Sequence, residues 1–107
     1  MVNRFMRLLV MFDLPTATKE DKREYMHFRK SLIKMGFDML QYSVYARITR
    51  NNDDAQKYIK LVKNILPPVG SVRLLQVTEK QYAAMMIMLG EKTPTENLLG
   101  TQDIVEL

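Results

Sequence analysis

The pattern of hydrophobic and polar positions predicts several short strands. Residues 5–12 form an apolar run that is hydrophobic on nearly both faces, as expected for a strand covered on both sides. Residues 42–49 alternate, so Ser43, Tyr45 and Arg47 share one face of a second strand. Residues 72–78 predict a third strand, and two shorter apolar runs predict strands at residues 85–89 and 104–107.

Two segments between these strands have the periodicity of amphipathic helices. Thr18 and Asp21 have the spacing of a capping box, which marks the start of the first helix, and Gly36 is suited to its end. The second helix begins in the polar cluster at residues 51–54 and ends before Pro67. A further helical turn is expected over residues 79–84.

The predicted order is β-α-β-α-β, a short turn and a final β. This order is typical of an α+β split βαβ fold, with two long helices on one face of an antiparallel sheet. Because the first strand is apolar on both faces, the face without helices also needs a cover. A second copy of the chain is the simplest cover and predicts dimerisation through the sheet. The alternative is that the C-terminal tail folds back over that face.

Composition and charge divide the chain into a basic body and an acidic tail. With 107 residues we expect one domain over residues 1–90, followed by a tail over residues 91–107. The body holds 15 of the 16 Lys and Arg and 8 of the 12 Asp and Glu, a net charge of +7, whereas the tail carries −3. A basic body suits a polyanionic partner, although solvated surface lysines explain it equally well.

Several classes of protein are excluded or disfavoured. The chain has no cysteine, which excludes disulfides, thiolate metal sites and cysteine nucleophiles. The apolar stretch near the N-terminus is interrupted by Arg4 and Arg7 and is too short to span a bilayer. We therefore expect a cytoplasmic protein with no membrane partner.

Asp13 is the sharpest candidate for chemistry. It follows directly on a hydrophobic strand and precedes the Leu14-Pro15 break, which places a carboxylate on the rim of the sheet. Hard cations such as Mg²⁺ bind oxygen ligands of this kind and can activate water or polarise a phosphodiester. The alternative is an aspartate that only stabilises the turn. A dimer axis near Asp13 would bring two such carboxylates together.

Other polar residues are candidates for phosphate contacts. Ser43, Tyr45 and Arg47 can donate hydrogen bonds to phosphate oxygens, or they can lie in a dimer interface, where Tyr and Arg are enriched. Basic residues off the apolar stripe of the first helix are weaker candidates for nucleic-acid binding: Lys22, Arg23, Lys30 and Lys34. Such lysines are usually only solvated.

Three segments resemble the CRISPR-associated protein two family, the small dimeric partner of the CRISPR integrase. They are the strand ending in Phe12-Asp13, the helix leading to residues 34–37 (KMGF), and residues 40–45 (LQYSVY), which are the most specific. The size and the lysine-rich first helix are similar to the form found in type II systems. The resemblance covers about the first 90 residues.

This resemblance implies a ferredoxin-like fold, a symmetric homodimer and a tail strand that pairs with the partner subunit. It implies a role in CRISPR adaptation, or spacer acquisition, in which the dimer bridges integrase dimers and supports prespacer DNA. It also implies a metal-dependent endoribonuclease capability, with some members cutting double-stranded DNA. Asp13 matches the family's aspartate that binds Mg²⁺, with Mn²⁺ as an alternative, at the dimer interface.

One departure from the family pattern concerns nuclease activity. The residue before the aspartate is often Tyr, whereas this chain has Phe12. The missing hydroxyl near the metal favours a non-catalytic adaptor over an active Mg²⁺-dependent endoribonuclease or duplex DNase as the main role. Both hypotheses share the same dimer, and the adaptor holds duplex DNA and docks the integrase; the expected nucleic-acid partners of the chain are double-stranded DNA and single-stranded RNA.

Overall fold

The described part of the chain folds into a four-stranded antiparallel sheet with the strand order β2-β3-β1-β4. The computed structural model describes residues 4–94 and residue 96. The elements follow one another as β1 (Met6–Asp13), α1 (Lys19–Lys34), β2 (Asp38–Gln41), β3 (Val44–Thr49), α2 (Asn52–Lys63), β4 (Ser71–Thr78) and α3 (Glu79–Ala83). This βαββαβ order, followed by a short helix, confirms the α+β split βαβ prediction.

The two long helices begin and end where their sequence signals lie. The Thr18 hydroxyl accepts a hydrogen bond from the Asp21 N–H at 3.0 Å, and the Asp21 carboxylate accepts one from the Thr18 N–H at 3.2 Å. Asn51 caps α2 by accepting a hydrogen bond from the Asp54 N–H at 2.8 Å. These side chains satisfy backbone donors that the first turn of a helix leaves free.

The main core lies between the sheet and the two long helices. Side chains from one face of β1 meet Phe28 and Leu32 of α1, and Ala55 and Val62 of α2 close the same layer. The strand residues in this layer are Leu8, Val10 and Phe12 of β1 and Tyr45 of β3. Met6 packs against the same layer, and because strand side chains alternate, the odd-numbered β1 residues face the other way.

We call that other side of the sheet the open face; it carries Arg7, Leu9, Met11 and Asp13 of β1. The short helix α3 covers one end of it, where Tyr82 packs against Leu9 and Ala46. The covered part is thus a small second core, and the rest of the face carries exposed residues such as Leu75, which is 51% exposed. Among the described helices, none is long and apolar enough to cross a membrane.

Two predicted details of the strands were wrong. A short strand, β2, lies over Asp38–Gln41 and pairs with β3, in a segment for which we predicted no strand. Residues 85–89 form no strand, although a fourth strand was predicted there. Because α3 turns the chain across the open face, this segment gains no ladder partner among the described residues, and its apolar side chains remain largely exposed. The strand predicted at residues 104–107 lies outside the described residues.

Candidate functional site

The backbone around Asp13 is held from both sides of β1. Asp13 pairs with Ser71 of β4, and the neighbouring Phe12 N–H donates to the Ser43 carbonyl at 3.0 Å. Gly70 packs so closely that a Cβ there would lie 3.0 Å from the Asp13 carbonyl oxygen and 2.6 Å from Leu14. Its φ of +111° also favours glycine. These contacts fix the position at which the Asp13 side chain leaves the sheet.

The Asp13 carboxylate is exposed on the rim of the open face. It makes no hydrogen bond or ion pair with another residue in the described part of the chain. Both carboxylate oxygens are therefore available as hard ligands for a divalent cation. The sequence-based placement of this carboxylate on the sheet rim agrees with the structure.

Asp13 by itself would be only part of a metal site. Over residues 4–94 and residue 96, no group of three or more His, Asp or Glu side chains comes together in a metal-binding arrangement. Mg²⁺ prefers about six oxygen ligands, of which proteins commonly supply one or two carboxylates. A single chain fits this pattern as the donor of one carboxylate, with further oxygens left to come from water, a phosphate or a second chain.

Phe12 lies on the opposite side of the sheet from Asp13. Its ring is 7% exposed and contacts Tyr25 and Phe28 edge-on, with ring centroids 6.1 and 5.1 Å away, and it stacks on Tyr45 at 5.7 Å. A hydroxyl on this ring would extend into the helix layer rather than beside Asp13. The sequence argument that Phe12 removes a hydroxyl from the metal site was therefore wrong for this fold.

The three candidate residues Ser43, Tyr45 and Arg47 occupy different surroundings. Ser43 lies in the turn before β3 with φ of +64°, and its carbonyl accepts a hydrogen bond from the N–H of Phe12, the residue before Asp13. Tyr45 is 1% exposed in the main core, which leaves its ring out of reach of a phosphate. Arg47 lies toward the opposite end of the strand, where its Nη2 donates to the Tyr58 hydroxyl at 2.6 Å. The face that Tyr45 and Arg47 share is in fact the helix-packed face, and Ser43 lies outside the strand.

The basic candidates on α1 are exposed, as their positions off the apolar stripe indicated. Lys22, Lys30 and Lys34 project into solvent. Arg23 forms a surface ion pair with Glu20 at 2.8 Å, in which both side chains are more than 60% exposed. Such a pair contributes little to stability and leaves Arg23 accessible to a phosphate.

Sequence reasoning missed a polar network on the open face. The Arg7 guanidinium donates to both carboxylate oxygens of Glu79 at 2.5 and 3.1 Å and lies 4.3 Å from the centroid of Tyr82. The Tyr82 hydroxyl donates to Glu96 at 2.6 Å. Burial raises the pKa of Tyr82, and the bond to Glu96 raises it further. A charged residue inside an otherwise apolar strand was the one available signal of this network.

Comparison with known proteins matches most of the chain to one family. The sequence model of the family described as "CRISPR associated protein Cas2" matches residues 6–85. A protein of Campylobacter jejuni subsp. jejuni serotype O:2, named "CRISPR-associated endoribonuclease Cas2", is 46% identical, over 95% of this chain and 75% of its own. A protein of the same name from Acidovorax ebreus is 51% identical, over 79% of this chain and 83% of its own length. One from Treponema denticola is 45% identical, over 95% of this chain and 100% of its own length.

A solved structure supports the same assignment at the level of the fold. The structure titled "Crystal structure of cas2" superposes with a TM-score of 0.52, covering 84% of this chain and 92% of that one at 16% identity. The βαββαβ order and the strand-end position of Asp13 also agree with the sequence resemblance. The chain belongs to the CRISPR-associated protein Cas2 family.

Proposed function

We propose that this chain acts in CRISPR adaptation as a homodimer that bridges dimers of the CRISPR integrase and supports prespacer DNA. The paired Asp13 residues of the dimer give it a metal-dependent endonuclease capability, with RNA as the substrate, in line with the name endoribonuclease that the relatives carry. The observation that carries this proposal is the position of Asp13, one exposed carboxylate per chain on the rim of the open face.

The open face supports the homodimer. It bears Asp13 and the half-exposed Leu75 on the part that α3 leaves uncovered, while the other face is filled by α1 and α2. A second copy packed on the open face by a two-fold axis would cover this apolar surface and bring the two Asp13 side chains toward one another. Each chain then contributes the same ligand to one shared site.

Asp13 of each subunit would hold the metal. Two carboxylates, one from each subunit, suit a divalent cation better than the single carboxylate of one chain. Bound Mg²⁺ would supply Lewis-acid polarisation of a phosphodiester and a more acidic water. The protein's own contribution is positional, because Asp13 pairs with Ser71 and packs against Gly70 while the preceding Phe12 N–H bonds to Ser43, and these contacts fix where each carboxylate leaves the sheet. Without a cation, two adjacent carboxylates repel one another.

The architectural role is the principal one in this proposal. A site with one carboxylate per chain, and with no group of three or more His, Asp or Glu side chains among the described residues, gives little machinery for rapid hydrolysis. By contrast, the body of the chain is strongly basic and α1 presents exposed cations to solvent, which suits contact with a DNA backbone.

The test compares wild type with Asp13→Asn and Asp13→Ala in two assays. In the first, purified protein is incubated with single-stranded RNA or duplex DNA and Mg²⁺ or Mn²⁺. We expect weak metal-dependent cleavage by wild type and none by either variant. Asp38→Ala, which removes another exposed aspartate, is the control and should cleave as wild type does.

The second assay measures spacer acquisition in cells that carry the integrase. The architectural proposal expects the Asp13 variants to acquire spacers at close to the wild-type frequency, since they keep the fold and the dimer. If acquisition were lost together with cleavage, nuclease activity would be the main role. This is the second candidate function, and the name endoribonuclease carried by the relatives favours it.

A further inference from the structure

A groove opens where β3 ends and α2 begins, at the opposite end of the sheet from Asp13. Met6 pairs with Thr49 at this end, seven residues along β1 from Asp13. At about 3.3 Å per residue the two places are roughly 23 Å apart. The groove encloses about 410 Å³ and is lined by Phe5, Arg47, Ile48, Thr49, Arg50, Asp54, Lys57 and Tyr58.

The guanidinium of Arg47 is built into this groove. It lies 3.9 Å from the centroid of the Tyr58 ring, and its Nη2 donates to the Tyr58 hydroxyl at 2.6 Å. On the other side it rests against Gly36, where a Cβ would collide with Nη1. A stacked, hydrogen-bonded guanidinium has lost most of its conformational freedom before any ligand arrives, which lowers the entropic cost of binding.

Positive charge gathers around this fixed guanidinium. The Lys57 ammonium lies 5.2 Å from the centroid of the same Tyr58 ring, and Arg50 is 81% exposed beside it. The lining holds three cations and one carboxylate, that of Asp54. This carboxylate is committed locally, because it accepts a hydrogen bond from the Arg50 N–H at 3.0 Å and its side chain is only 9% exposed.

Asp54 pairs with Arg50, whose Nε lies 3.7 Å from the carboxylate, so Arg47 and Lys57 are left without an anionic partner among the described residues. Arg47 forms no ion pair with any described carboxylate, and its buried Nε has no hydrogen-bond partner among the described residues. The Arg50 hydrogen bond and nearby cations hold the pKa of Asp54 below its ordinary value, so Asp54 stays ionised at neutral pH. Even so, the lining keeps a net charge of +2.

We propose that this groove, formed by Arg47, Arg50 and Lys57 around Tyr58, binds a backbone phosphate of nucleic acid. A tetrahedral phosphate presents several oxygens and can engage a guanidinium and an ammonium at once. A carboxylate ligand, by contrast, is best bound by both donors of one free guanidinium fork, and Arg47 already gives one of its donors to Tyr58. That the phosphate belongs to nucleic acid rests on the proposed function, whereas the anion site itself rests only on the contacts above.

The binding test uses exposed residues so that folding is preserved. Arg50→Gln/Lys57→Gln removes two groove charges, and Lys63→Gln/Lys80→Gln removes two exposed charges outside the groove. Affinity for a fluorescent 30-base-pair duplex is measured by anisotropy over a series of salt concentrations. We expect the groove variant to bind about tenfold more weakly near 100 mM salt, with a salt slope smaller by about two, and the control to stay within about twofold of wild type.

A second measurement tests the anion site without nucleic acid. Inorganic phosphate is titrated into the full-length protein while the Arg47 Nε–H signal is followed by NMR; Arg47→Lys, which lacks Nε, assigns that signal. We expect phosphate to shift the signal in wild type and to leave it unchanged in Arg50→Gln/Lys57→Gln. Acetate at the same ionic strength should produce no comparable shift.

The outcomes separate this proposal from the proposed function. Equal loss of DNA affinity in both double variants, or an Nε–H signal that ignores phosphate, would overturn the groove as a phosphate site while leaving the DNA-supporting role intact. A shift that acetate matches would assign the groove to carboxylates, and so to protein, instead. A phosphate response in a protein that binds no duplex would support the anion site and reject the DNA-supporting role.

Discussion

The two faces of the sheet differ in what covers them. On the helix face, Phe28 and Leu32 are fully buried against Leu8 and Val10 in an apolar layer. On the open face, α3 covers one end through the Arg7–Glu79 ion pair, and the other end is left to Asp13 and Leu75. Stability is therefore concentrated on one side, and the side left partly uncovered carries the exposed carboxylate of Asp13 beside half-exposed apolar surface.

The largest effect is expected on the helix face. Phe28→Ala removes a side chain that contacts Phe12 and is fully buried, so the free energy of unfolding should fall by about 3–5 kcal/mol. Urea denaturation checks this value. Met26→Ala, on the same helix but 41% exposed, is the control and should cost much less. Similar losses in the two variants would mean that the helix face is not the main source of stability.

The ion pair of the open face should give the next largest effect. Glu79→Gln leaves the buried Arg7 guanidinium without its counter-charge, and we expect a loss of about 3 kcal/mol. Replacing both partners by Arg7→Met/Glu79→Leu should recover most of that loss, because neither charge is then buried. Glu20→Gln breaks an exposed pair and should change stability by less than about 0.5 kcal/mol. A double variant no more stable than Glu79→Gln would contradict this account.

The pH dependence of stability tests the role of Tyr82 on the open face. Tyr82→Phe removes the hydrogen bond to Glu96 and should cost about 1 kcal/mol at neutral pH. Because burial raises the pKa of Tyr82 in the folded state, its contribution is present below about pH 10, the unfolded value, and is lost as the pH rises through the folded value. The free energy of unfolding of wild type should thus fall more steeply between pH 9 and 11, as an approximate window, than that of Tyr82→Phe. Tyr42→Phe, at a 91% exposed position, should follow wild type.

The smallest effect on stability is expected at the uncovered end of the open face. Leu75→Lys changes a half-exposed residue and should alter the stability of one subunit by no more than about 0.5 kcal/mol. If a second copy covers this face, however, the same change should convert dimers to monomers in light scattering. Leu66→Lys, which is 49% exposed and lies after α2, should leave the oligomeric state unchanged. Dimers that tolerate Leu75→Lys would place the dimer interface elsewhere.

Sequence alone gave the parts of the fold that depend on neighbouring residues. Thr18 and Asp21 predicted the start of α1, Gly36 its end, and the apolar run before Asp13 the central strand. Caps and strand periodicity are local, because their hydrogen bonds and side-chain directions involve residues a few positions apart. The short strand β2 escaped prediction because four residues carry too little pattern.

What the sequence determined by itself was the order of the main elements and a carboxylate at the rim of the sheet. Only the tertiary structure decided which face of each strand meets the helices, and that choice buried Tyr45, turned Phe12 away from Asp13 and placed Arg47 against Tyr58. It also joined Arg7 to Glu79, 72 residues away. The physical reason is that alternation tells which side chains share a face, whereas long-range packing decides what that face contacts.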